Sequence, residues 1–461
     1  MLQPDLLSQL VEIVGQPHVR LDPDARLAYG TDGVKGGGRP ADVVVIPADA
    51  REIAGVVRAC LERRVPFVPR GAGTGYSGGA VPLHGGVVIS FERLNRILEI
   101  DEANLIAVVE PCVITGELQA AVEAVGLFYP PDPASLAISS IGGNVAECAG
   151  GPRAFKYGTT KHYVLGLQAV LPTGEIVETG GKAVKNVVGY DLTHLLAGSE
   201  GTLAIITKII LRLVPKPIAH ATLRATFADV DSAARAVVEI VRRRIVPSAL
   251  ELIDGECLDA VAAYLKVRSL APSGTAAMLL VEVDGSVPAV DDEAAGVEAA
   301  LRAAGATEVL RAGSEPERAE IWRVRRDLTY ALRMIAPLKF NHDVVVPKGR
   351  IPELFALVDR LKREYRVRIP CFGHAGDGNI HVNIMVADDQ EEIARGHAAE
   401  RKLFEGVVAL EGSISGEHGI GFTKSRFIGI ELSAVEIALM KRVKAAFDPH
   451  NLLNPGKIFP A

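Results

Sequence analysis

The sequence predicts an α+β protein with two domains of different character. Short strands separated by glycine and proline turns predominate as far as Val214, a pattern typical of a sheet-based domain. Pro215-Lys-Pro217 then interrupts the pattern, because neither proline can donate a hydrogen bond to a ladder. Beyond this point strands and helices alternate as far as Leu410. We therefore expect a first domain built on sheets and a second, mixed α+β domain.

The expected elements of the first domain are mostly strands. The spacing of apolar residues predicts helices over 2–15 and 51–64. Runs rich in β-branched residues predict strands over 41–47, 66–69, 87–90, 107–109, 165–171, 176–177 and 204–214.

The second domain is expected to alternate both kinds of element. Ser314, followed three residues later by Glu317, predicts the start of one helix. The other predicted helices are 230–244, 256–265, 290–303, 351–365 and one ending near 410, and the predicted strands are 222–227, 250–253, 278–283 and 339–346.

These breaks divide the chain into four segments. We expect an N-terminal helix and arm, the first domain, the second domain, and a C-terminal helical segment that packs back onto the first domain. Their boundaries are 1–36, 37–216, 217–410 and 411–461.

Charge and cysteine content exclude several classes of protein. Fifty basic and fifty-six acidic residues give a net charge of -6, so nucleic acid is not expected as a partner. The five cysteines form no C-x-x-C pair, which argues against an iron–sulfur cluster, a zinc knuckle or a disulfide framework. Residues 1–20 lack a signal-peptide pattern, and the apolar stretch 202–214 is too short to span a bilayer. We expect a cytoplasmic protein, and peripheral attachment at the inner face of the membrane stays open.

A glycine-rich loop, RGAGTGYSGG at 70–79, is the first candidate binding site. A Rossmann loop opens into a helix, whereas strand-like residues 86–90 follow here, which argues against nicotinamide binding. Successive backbone N–H groups in such a loop can form a concave nest for phosphate oxygens. A plain surface loop is the alternative. The candidate residues are Arg70, Gly71, Ala72, Gly73, Thr74, Gly75, Ser77 and Gly78.

Two further glycine-rich stretches lie in the same domain. Together with the first loop, the stretches 130–151 and 197–207 could wrap an extended dinucleotide, although each string alone is more often a turn. Backbone near Ser140, Gly142, Gly143 and Asn144 is expected to approach an isoalloxazine ring. The stretch from Glu200 to Ile206 is expected to approach an adenosine half.

A candidate metal site lies in the second half of the chain. Residues 371–384 read CFGHAGDGNIHVNI, a predicted hairpin, and residues 416–421 read GEHGIG. Imidazole and carboxylate suit a divalent transition metal, and three protein ligands leave a position open for substrate. The candidate ligands are His374, His381 and Glu417, with His418 unligated. The alternative is that these histidines are hydrogen-bonded core residues.

These motifs, in this order, resemble the FAD-linked oxidase family of the vanillyl-alcohol oxidase (PCMH) superfamily. The resemblance also includes PPDPAS, GYDLTHLLAGSEGTLAIIT and the terminal DPHNLLNPGKIFP, and it spans nearly the whole chain. More narrowly, the chain resembles the FAD-linked subunit of glycolate oxidase and the FAD-dependent D-lactate and D-2-hydroxyglutarate dehydrogenases. The fold it implies is a two-part PCMH-type FAD-binding domain and an α+β cap domain, with the C-terminal segment returning to the FAD domain.

The resemblance also assigns roles to residues. Its metal ligands fall on His374, His381 and Glu417, its active-site base on His418, and a substrate contact on Asn383. Its carboxylate-binding pattern falls on Arg325, Thr329 and Lys339. It also assigns FAD contacts to residues beyond the first glycine loop. These residues are Pro131, Asp132, Ser135, Glu200, Gly201, Ile206 and Asn454.

The activity implied is oxidation of a D-2-hydroxy acid, such as glycolate or D-lactate, to the 2-oxo acid. It requires FAD and a divalent metal such as Zn, Mn or Fe, and an iron–sulfur subunit or another acceptor to reoxidise the flavin; a homodimer stays open. The alternatives are a noncatalytic flavin-carrying subunit and a transferase like alkyl-dihydroxyacetone-phosphate synthase. Two departures from the family pattern are Cys148 at a usual asparagine position and the lack of His or Cys in the loop 70–79, which predicts noncovalent FAD.

Overall fold

Among the described residues, the framework consists of two main sheets and a short two-stranded ribbon in one part of the chain and a single larger sheet in the other. It is seen in a computed structural model that describes residues 3–34, 39–267 and 269–460. Unit 1 comprises Met1–Gly150, Thr159–Lys216 and Glu417–Ala461, and unit 2 comprises Gly151–Gly158 and Pro217–Gly416. The boundary expected between 36 and 37 lies outside the described residues.

Unit 1 contains a four-stranded sheet, a five-stranded antiparallel sheet and a two-stranded ribbon. Its strands are β1 (Val19–Arg20), β2 (Val43–Val45), β3 (Phe67–Arg70), β4 (Val87–Ser90), β5 (Ile97–Asp101), β6 (Ile106–Val109), β7 (Leu127–Phe128), β8 (Val164–Val170), β9 (Ile176–Gly180), β10 (Ile205–Arg212) and β11 (Val214–Pro215). The strand orders are β1-β2-β4-β3, β5-β6-β10-β8-β9 and β11-β7.

Helices cover these sheets, and their ends follow ordinary capping chemistry. The side chain of Asp49 caps the third helix, and Ser433 and Glu436 form a capping box at the last one. The helices of unit 1 among the described residues are α1 (Pro4–Val14), α2 (Pro23–Ala28), α3 (Ala50–Glu62), α4 (Thr115–Glu123), α5 (Ile141–Glu147), α7 (Leu192–Leu196), α14 (Ile428–Glu431) and α15 (Ala434–Phe447).

Unit 2 is built on one antiparallel sheet of seven strands. The order is β15-β12-β14-β13-β17-β18-β16. Its strands are β12 (Ala219–Phe227), β13 (Ala249–Asp254), β14 (Ala277–Gly285), β15 (Glu308–Arg311), β16 (Leu338–Val345), β17 (Cys371–His374) and β18 (Asn379–Val386). Its helices are α6 (Ala154–Tyr157), α8 (Val230–Arg242), α9 (Gly255–Leu265), α10 (Val287–Ala303), α11 (Glu315–Leu332), α12 (Ile351–Tyr365) and α13 (Gln390–Ala409).

The connection from β3 to β4 decides what kind of glycine loop this is. The two strands are parallel neighbours, with Phe67 and Val87 in register. Residues 71–86 between them contain no helix. This confirms that the loop is not of the Rossmann type, because that loop would open directly into a helix.

The glycine-rich run at 139–151, for which the sequence analysis predicted no helix, contains α5. Two adjacent glycines disfavour a helix, but the structure supplies partners for its first N–H groups. Ser140 caps the helix, and the N–H of Gly142 donates to the carbonyl of Pro111. Tertiary hydrogen bonds therefore outweigh local propensity here.

No helix within the described ranges is both long and apolar enough to cross a bilayer.

Candidate active site

The loop between β3 and β4 presents backbone donors that have no acceptor among the described residues. Gly73 and Gly78 have φ of 68° and 83°, and a Cβ at Gly78 would overlap the ring of Phe422. Among the described residues, the N–H groups of Gly73, Thr74 and Gly75 donate to no protein acceptor. Consecutive N–H groups of this kind suit phosphate oxygens, so the loop fits the pyrophosphate of a dinucleotide.

The C-terminal residues hold this loop in place. Lys457 Nζ donates to the carbonyls of Gly78 and Val81 at 2.6 Å each, and Asn454 Nδ2 donates to the carbonyl of Gly79 at 2.9 Å. Burial lowers the pKa of Lys457 to about 8. The loop backbone is therefore anchored by side chains that lie far away in the sequence.

Arg70 has partners other than a cofactor. Its guanidinium donates to the carbonyls of Tyr29 and Thr31 and lies over the ring of Tyr29. It therefore ties the N-terminal arm to the end of β3. Its assignment to FAD stays a prediction.

Glu200 is buried and also has internal partners. Its carboxylate accepts the N–H of Ile420 at 2.9 Å and that of Gly421 at 2.6 Å. Burial raises the pKa of Glu200 and of its neighbour Glu147. The carboxylate of Glu200 thus holds the backbone of the residues that follow His418, and its assignment to FAD stays a prediction.

The remaining predicted FAD residues are held by their own surroundings. Ser140 Oγ accepts the N–H groups of Ala72 and Gly143 at 3.2 and 3.3 Å, which joins the glycine loop to α5. Asn144 Nδ2 donates to Thr115 Oγ1 at 2.7 Å. The other positions are backbone acceptors, turns or buried side chains: Pro131 and Ser135 accept through their carbonyls, Gly201 has positive φ, and Ile206 is buried on β10.

His418 lies in unit 1 with a side chain that is 15% exposed. Its Nε2 is 3.9 Å from Glu417 Oε1, and its ring centroid is 5.3 Å from that of Tyr76. Glu417 itself lies beside Gly150, where a Cβ would be 2.9 Å from its Oε2. Glu417 also follows Gly416 directly.

One face of the unit 2 sheet carries the predicted histidines. His374 on β17 and His381 on β18 are both buried, and each offers a ring nitrogen within 4.8 Å of the other. In the ladder, His381 is opposite Phe372, two residues before His374, so the alternation of side chains puts both imidazoles on the same face. The structure therefore brings the two predicted histidine ligands together.

A residue that the sequence analysis did not identify completes this cluster. Glu251 on β13 is 0% exposed and lies opposite His374 in the ladder. Its Oε1 accepts from His374 Nδ1 at 2.6 Å, and its Oε2 accepts from Arg325 Nε at 2.5 Å. Burial would raise the pKa of Glu251, but attraction to His374 and Arg325 prevails and lowers it to about 2. The signal in the sequence is a lone glutamate in the apolar run ALELI, because a buried carboxylate needs partners.

The predicted carboxylate-binding residues lie on two elements of unit 2, α11 and β16. Arg325 and Thr329 are one turn apart on α11. The guanidinium of Arg325 lies 4.7 Å from the ring centroid of Phe372. Lys339 on β16 is half-buried. By strand alternation it lies on the same face of the sheet as Asp343, whose partner in the ladder is His381.

Asn383 leaves one polar atom without a protein partner. It is 0% exposed, and its Nδ2 donates to the carbonyls of Pro370 and His381 at 3.2 Å each. Its Oδ1 accepts no hydrogen bond from the described residues. A buried acceptor without a protein donor is normally satisfied by a ligand or water. Asn383 lies on the same face of the sheet as His381.

Comparisons with known proteins agree over the full length of the chain. The families described as "FAD binding domain" and "FAD linked oxidases, C-terminal domain" match residues 41–180 and 216–458. Glycolate oxidase subunit GlcD of Bacillus subtilis is 41% identical, covering 100% of this chain and 97% of the relative. D-2-hydroxyglutarate dehydrogenase of Stutzerimonas stutzeri is 33% identical, with 100% of both chains covered. D-lactate dehydrogenase of Anaerostipes hadrus is 37% identical over 92% of this chain and 90% of the relative.

Solved structures support the fold. p-Cresol methylhydroxylase with substrate bound superposes with a TM-score of 0.81 at 17% identity, covering 99% of this chain and 96% of the other. This confirms the PCMH-type α+β fold. The family matches and the long relatives together confirm the resemblance found in the sequence: the chain belongs to the FAD-linked oxidase family and is a flavoprotein oxidoreductase.

Proposed function

We propose that this protein oxidises a D-2-hydroxy acid to the corresponding 2-oxo acid. The observation that carries the proposal is the cluster in unit 2, where two buried histidines lie together and one of them, His374, shares the buried carboxylate of Glu251 with Arg325. An α-hydroxy carboxylate presents the two matching groups, a hydroxyl for a metal and a carboxylate for a guanidinium. Relatives named for glycolate, D-lactate and D-2-hydroxyglutarate all take such an acid.

The cofactor proposed is noncovalent FAD. The N–H groups of Gly73, Thr74 and Gly75, which donate to no acceptor in the described ranges, fit its pyrophosphate, and residues 70–79 contain no His or Cys for a covalent link. Acid precipitation should therefore release the flavin into the supernatant. Flavin that stays with the precipitated chain would contradict noncovalent binding.

The proposed metal ligands are His374, His381 and Glu417. Two imidazoles with nitrogens within 4.8 Å suit Zn, Mn or Fe. Glu417 supports the set through its chain neighbour, because the N–H of Gly416 donates to the carbonyl and the carboxylate of Asp343 at 2.8 and 2.9 Å. Asp343 is opposite His381 in the ladder, and consecutive Cα atoms are about 3.8 Å apart.

The protein's own residues would then bind the acid and move one proton. Arg325 and Lys339 pair with the substrate carboxylate, Thr329 adds a hydroxyl one turn along the helix, and Asn383 contacts the substrate. His418 removes the hydroxyl proton. When bound, FAD would supply the acceptor for the hydride from the α-carbon, and the metal would lower the pKa of the hydroxyl.

The electron acceptor and location are also proposals. The chain has no C-x-x-C pair for a cluster of its own, so we propose an iron–sulfur subunit or another carrier as the oxidant of the reduced flavin. The Bacillus relative is by name one subunit of an oxidase, which supports a partner. We propose a cytoplasmic location, with peripheral attachment through that partner.

An anaerobic substrate panel tests the function. Glycolate, D-lactate and D-2-hydroxyglutarate would be mixed with the flavoprotein, with L-lactate as control, while elemental analysis measures metal in the same sample. We expect at least one D-configured or achiral acid to bleach the flavin absorbance and about one metal per chain. Failure of every acid would favour a noncatalytic flavin-carrying subunit or a transferase like alkyl-dihydroxyacetone-phosphate synthase.

A further inference from the structure

We propose that Glu251 is a positioning residue that prepares both His374 for a metal and Arg325 for a substrate carboxylate. The inference rests on the proposed function and assigns one residue to both halves of the site.

The carboxylate of Glu251 is buried, and both of its oxygens have partners in the proposed site. It lies on β13 in the middle of the sheet, opposite His374 in the ladder, and is 0% exposed. An isolated carboxylate in such a place is strongly destabilising. Both of its oxygens are used, one by His374 Nδ1 at 2.6 Å and the other by Arg325 Nε at 2.5 Å. The two partners are thus held by a single rigid group.

The first consequence concerns the tautomer of His374. Glu251 Oε1 lies 2.6 Å from His374 Nδ1, and a carboxylate oxygen accepts, so in the neutral imidazole the hydrogen is on Nδ1 of His374. The lone pair is then on Nε2, which is the atom available to a metal. Glu251 therefore selects the tautomer that can act as a ligand and prevents the ring from turning.

The second consequence concerns the guanidinium of Arg325. Its Nε is occupied by Glu251, so Nη1 and Nη2 remain as the fork that can bind a carboxylate through two hydrogen bonds. The guanidinium of Arg325 packs over the ring of Phe372, with 4.7 Å between its carbon and the ring centroid. The centroid of that ring is 5.0 Å from the centroid of the His381 ring. The orientation of the fork is thus tied to the strand pair that carries the histidines.

A purely structural ion pair offers the competing explanation, and unit 2 contains a matched example. Glu282 on β14 is buried and accepts from Arg318 Nε at 2.9 Å, and Arg318 lies two turns before Arg325 on α11. Glu282 also accepts from Trp322 and Thr222. Among the described residues it has no histidine partner. Glu282→Gln therefore reports what losing such a pair does to the fold alone.

The experiment compares Glu251→Gln with Glu282→Gln in the full-length flavoprotein. Zn²⁺ and Mn²⁺ would be titrated separately into chelator-treated protein, and KM and kcat measured for the acid found in the anaerobic panel. We expect Glu251→Gln to raise the metal Kd about 10- to 100-fold and to raise KM at least tenfold. Glu282→Gln should leave both constants within about twofold of the wild type.

A second variant and a spectroscopic signature cover the case in which Glu251→Gln does not fold. Glu251→Asp keeps the charge but is one methylene shorter, so it cannot serve both partners, and the metal Kd and KM should still rise. Nitrogen-15 NMR of the wild type should show the hydrogen of His374 on Nδ1. A neutral ring with its hydrogen on Nε2 would overturn the inference.

The outcomes separate this inference from the function on which it rests. If the wild type takes up metal and is bleached by an acid, but both Glu251 variants keep the metal Kd and KM, only the role of Glu251 is overturned. If the wild type takes up no metal and no acid bleaches it, the proposed function fails and the inference fails with it.

Discussion

His418 is the residue on which the proposed chemistry makes the most direct demand. Nothing else in the proposed site has the role of removing the hydroxyl proton, and a well-placed base contributes about 10² to 10⁴ in rate. We expect His418→Asn to lower kcat by that factor while the flavin absorbance of the purified protein is unchanged. Stopped-flow reduction measures the first quantity and the visible spectrum the second.

A matched control is His220→Asn, because His220 is a half-exposed histidine of unit 2 that pairs with surface Glu315. It should reduce flavin at the wild-type rate. A His418→Asn protein that is reduced as fast as the wild type would remove His418 from the mechanism.

Cys148 illustrates how backbone conformation constrains a residue type. It follows α5 with φ 57° and ψ 48°, the left-handed region, where conformational strain costs residues other than glycine and asparagine about 1–2 kcal/mol. Its Sγ has one weak contact, 3.4 Å from Thr159 Oγ1. The asparagine expected from the family resemblance is thus the conformationally easier residue, so the backbone explains the asparagine and gives no reason for the cysteine.

We expect Cys148→Asn to raise the free energy of unfolding by about 0.5–1 kcal/mol, because asparagine tolerates this conformation. Cys148→Ala should give no gain, since alanine keeps the same backbone strain and loses the contact. Thermal unfolding of the flavin-loaded protein would measure both. Equal midpoints for the two variants would contradict the argument.

At single positions the information in the sequence is uneven. His374 and His381 stand out because glycines flank them and a strand period places them, whereas Glu251 is one acidic letter in an apolar strand. Its importance depends on the pairing of β13 with β17, over a hundred residues apart in the chain. Glu200 shows the same limit, because only the fold reveals that its carboxylate binds the backbone at 420–421.

Among the elements, periodicity predicted the strong ones well. The predicted helix 351–365 coincides with α12, and the strands expected at 87–90 and 250–253 are β4 and β13. Elements with weak local signals were missed, including α4 and β5. The register of the seven-stranded sheet is a long-range property, and no local pattern in the sequence determines which strands become neighbours.

The junction of α5 with the glycine loop gives a prediction at the level of elements. Ser140 Oγ caps α5 and also accepts the N–H of Ala72, so Ser140→Ala removes a helix cap and a tie to the loop. We expect the free energy of unfolding to fall by about 1 kcal/mol and the Kd for FAD to rise about tenfold. Fluorescence titration of the apoprotein with FAD measures the second effect.

Ser314→Ala is the control, because Ser314 caps α11 in unit 2. It should cost a similar free energy of unfolding and leave the Kd for FAD unchanged. If both variants change FAD binding equally, the tie between Ser140 and the loop has no special role.

Across the whole molecule, the end of the chain is part of the flavin-binding unit. Residues 417–461 belong to unit 1, and Leu453 is buried where the chain pairs with Phe67 at the start of β3. The glycine loop thus follows a strand whose edge the C-terminus covers. Residues 151–158 belong instead to unit 2, where Lys156 Nζ contacts Asp284 at 2.6 Å, an excursion for which the sequence has no recognisable signal.

Lys457 connects this closure to cofactor binding. Its Nζ supplies hydrogen bonds to the carbonyls of Gly78 and Val81 at 2.6 Å each, and each buried carbonyl left without a donor costs about 1–3 kcal/mol. We expect Lys457→Met to loosen the loop and raise the Kd for FAD at least tenfold, measured by fluorescence titration of the apoprotein. Lys362→Met removes a half-buried lysine of unit 2, which pairs with Glu256, and should leave the Kd unchanged. An unaltered Kd in Lys457→Met would show that the loop keeps its shape without the C-terminal residues.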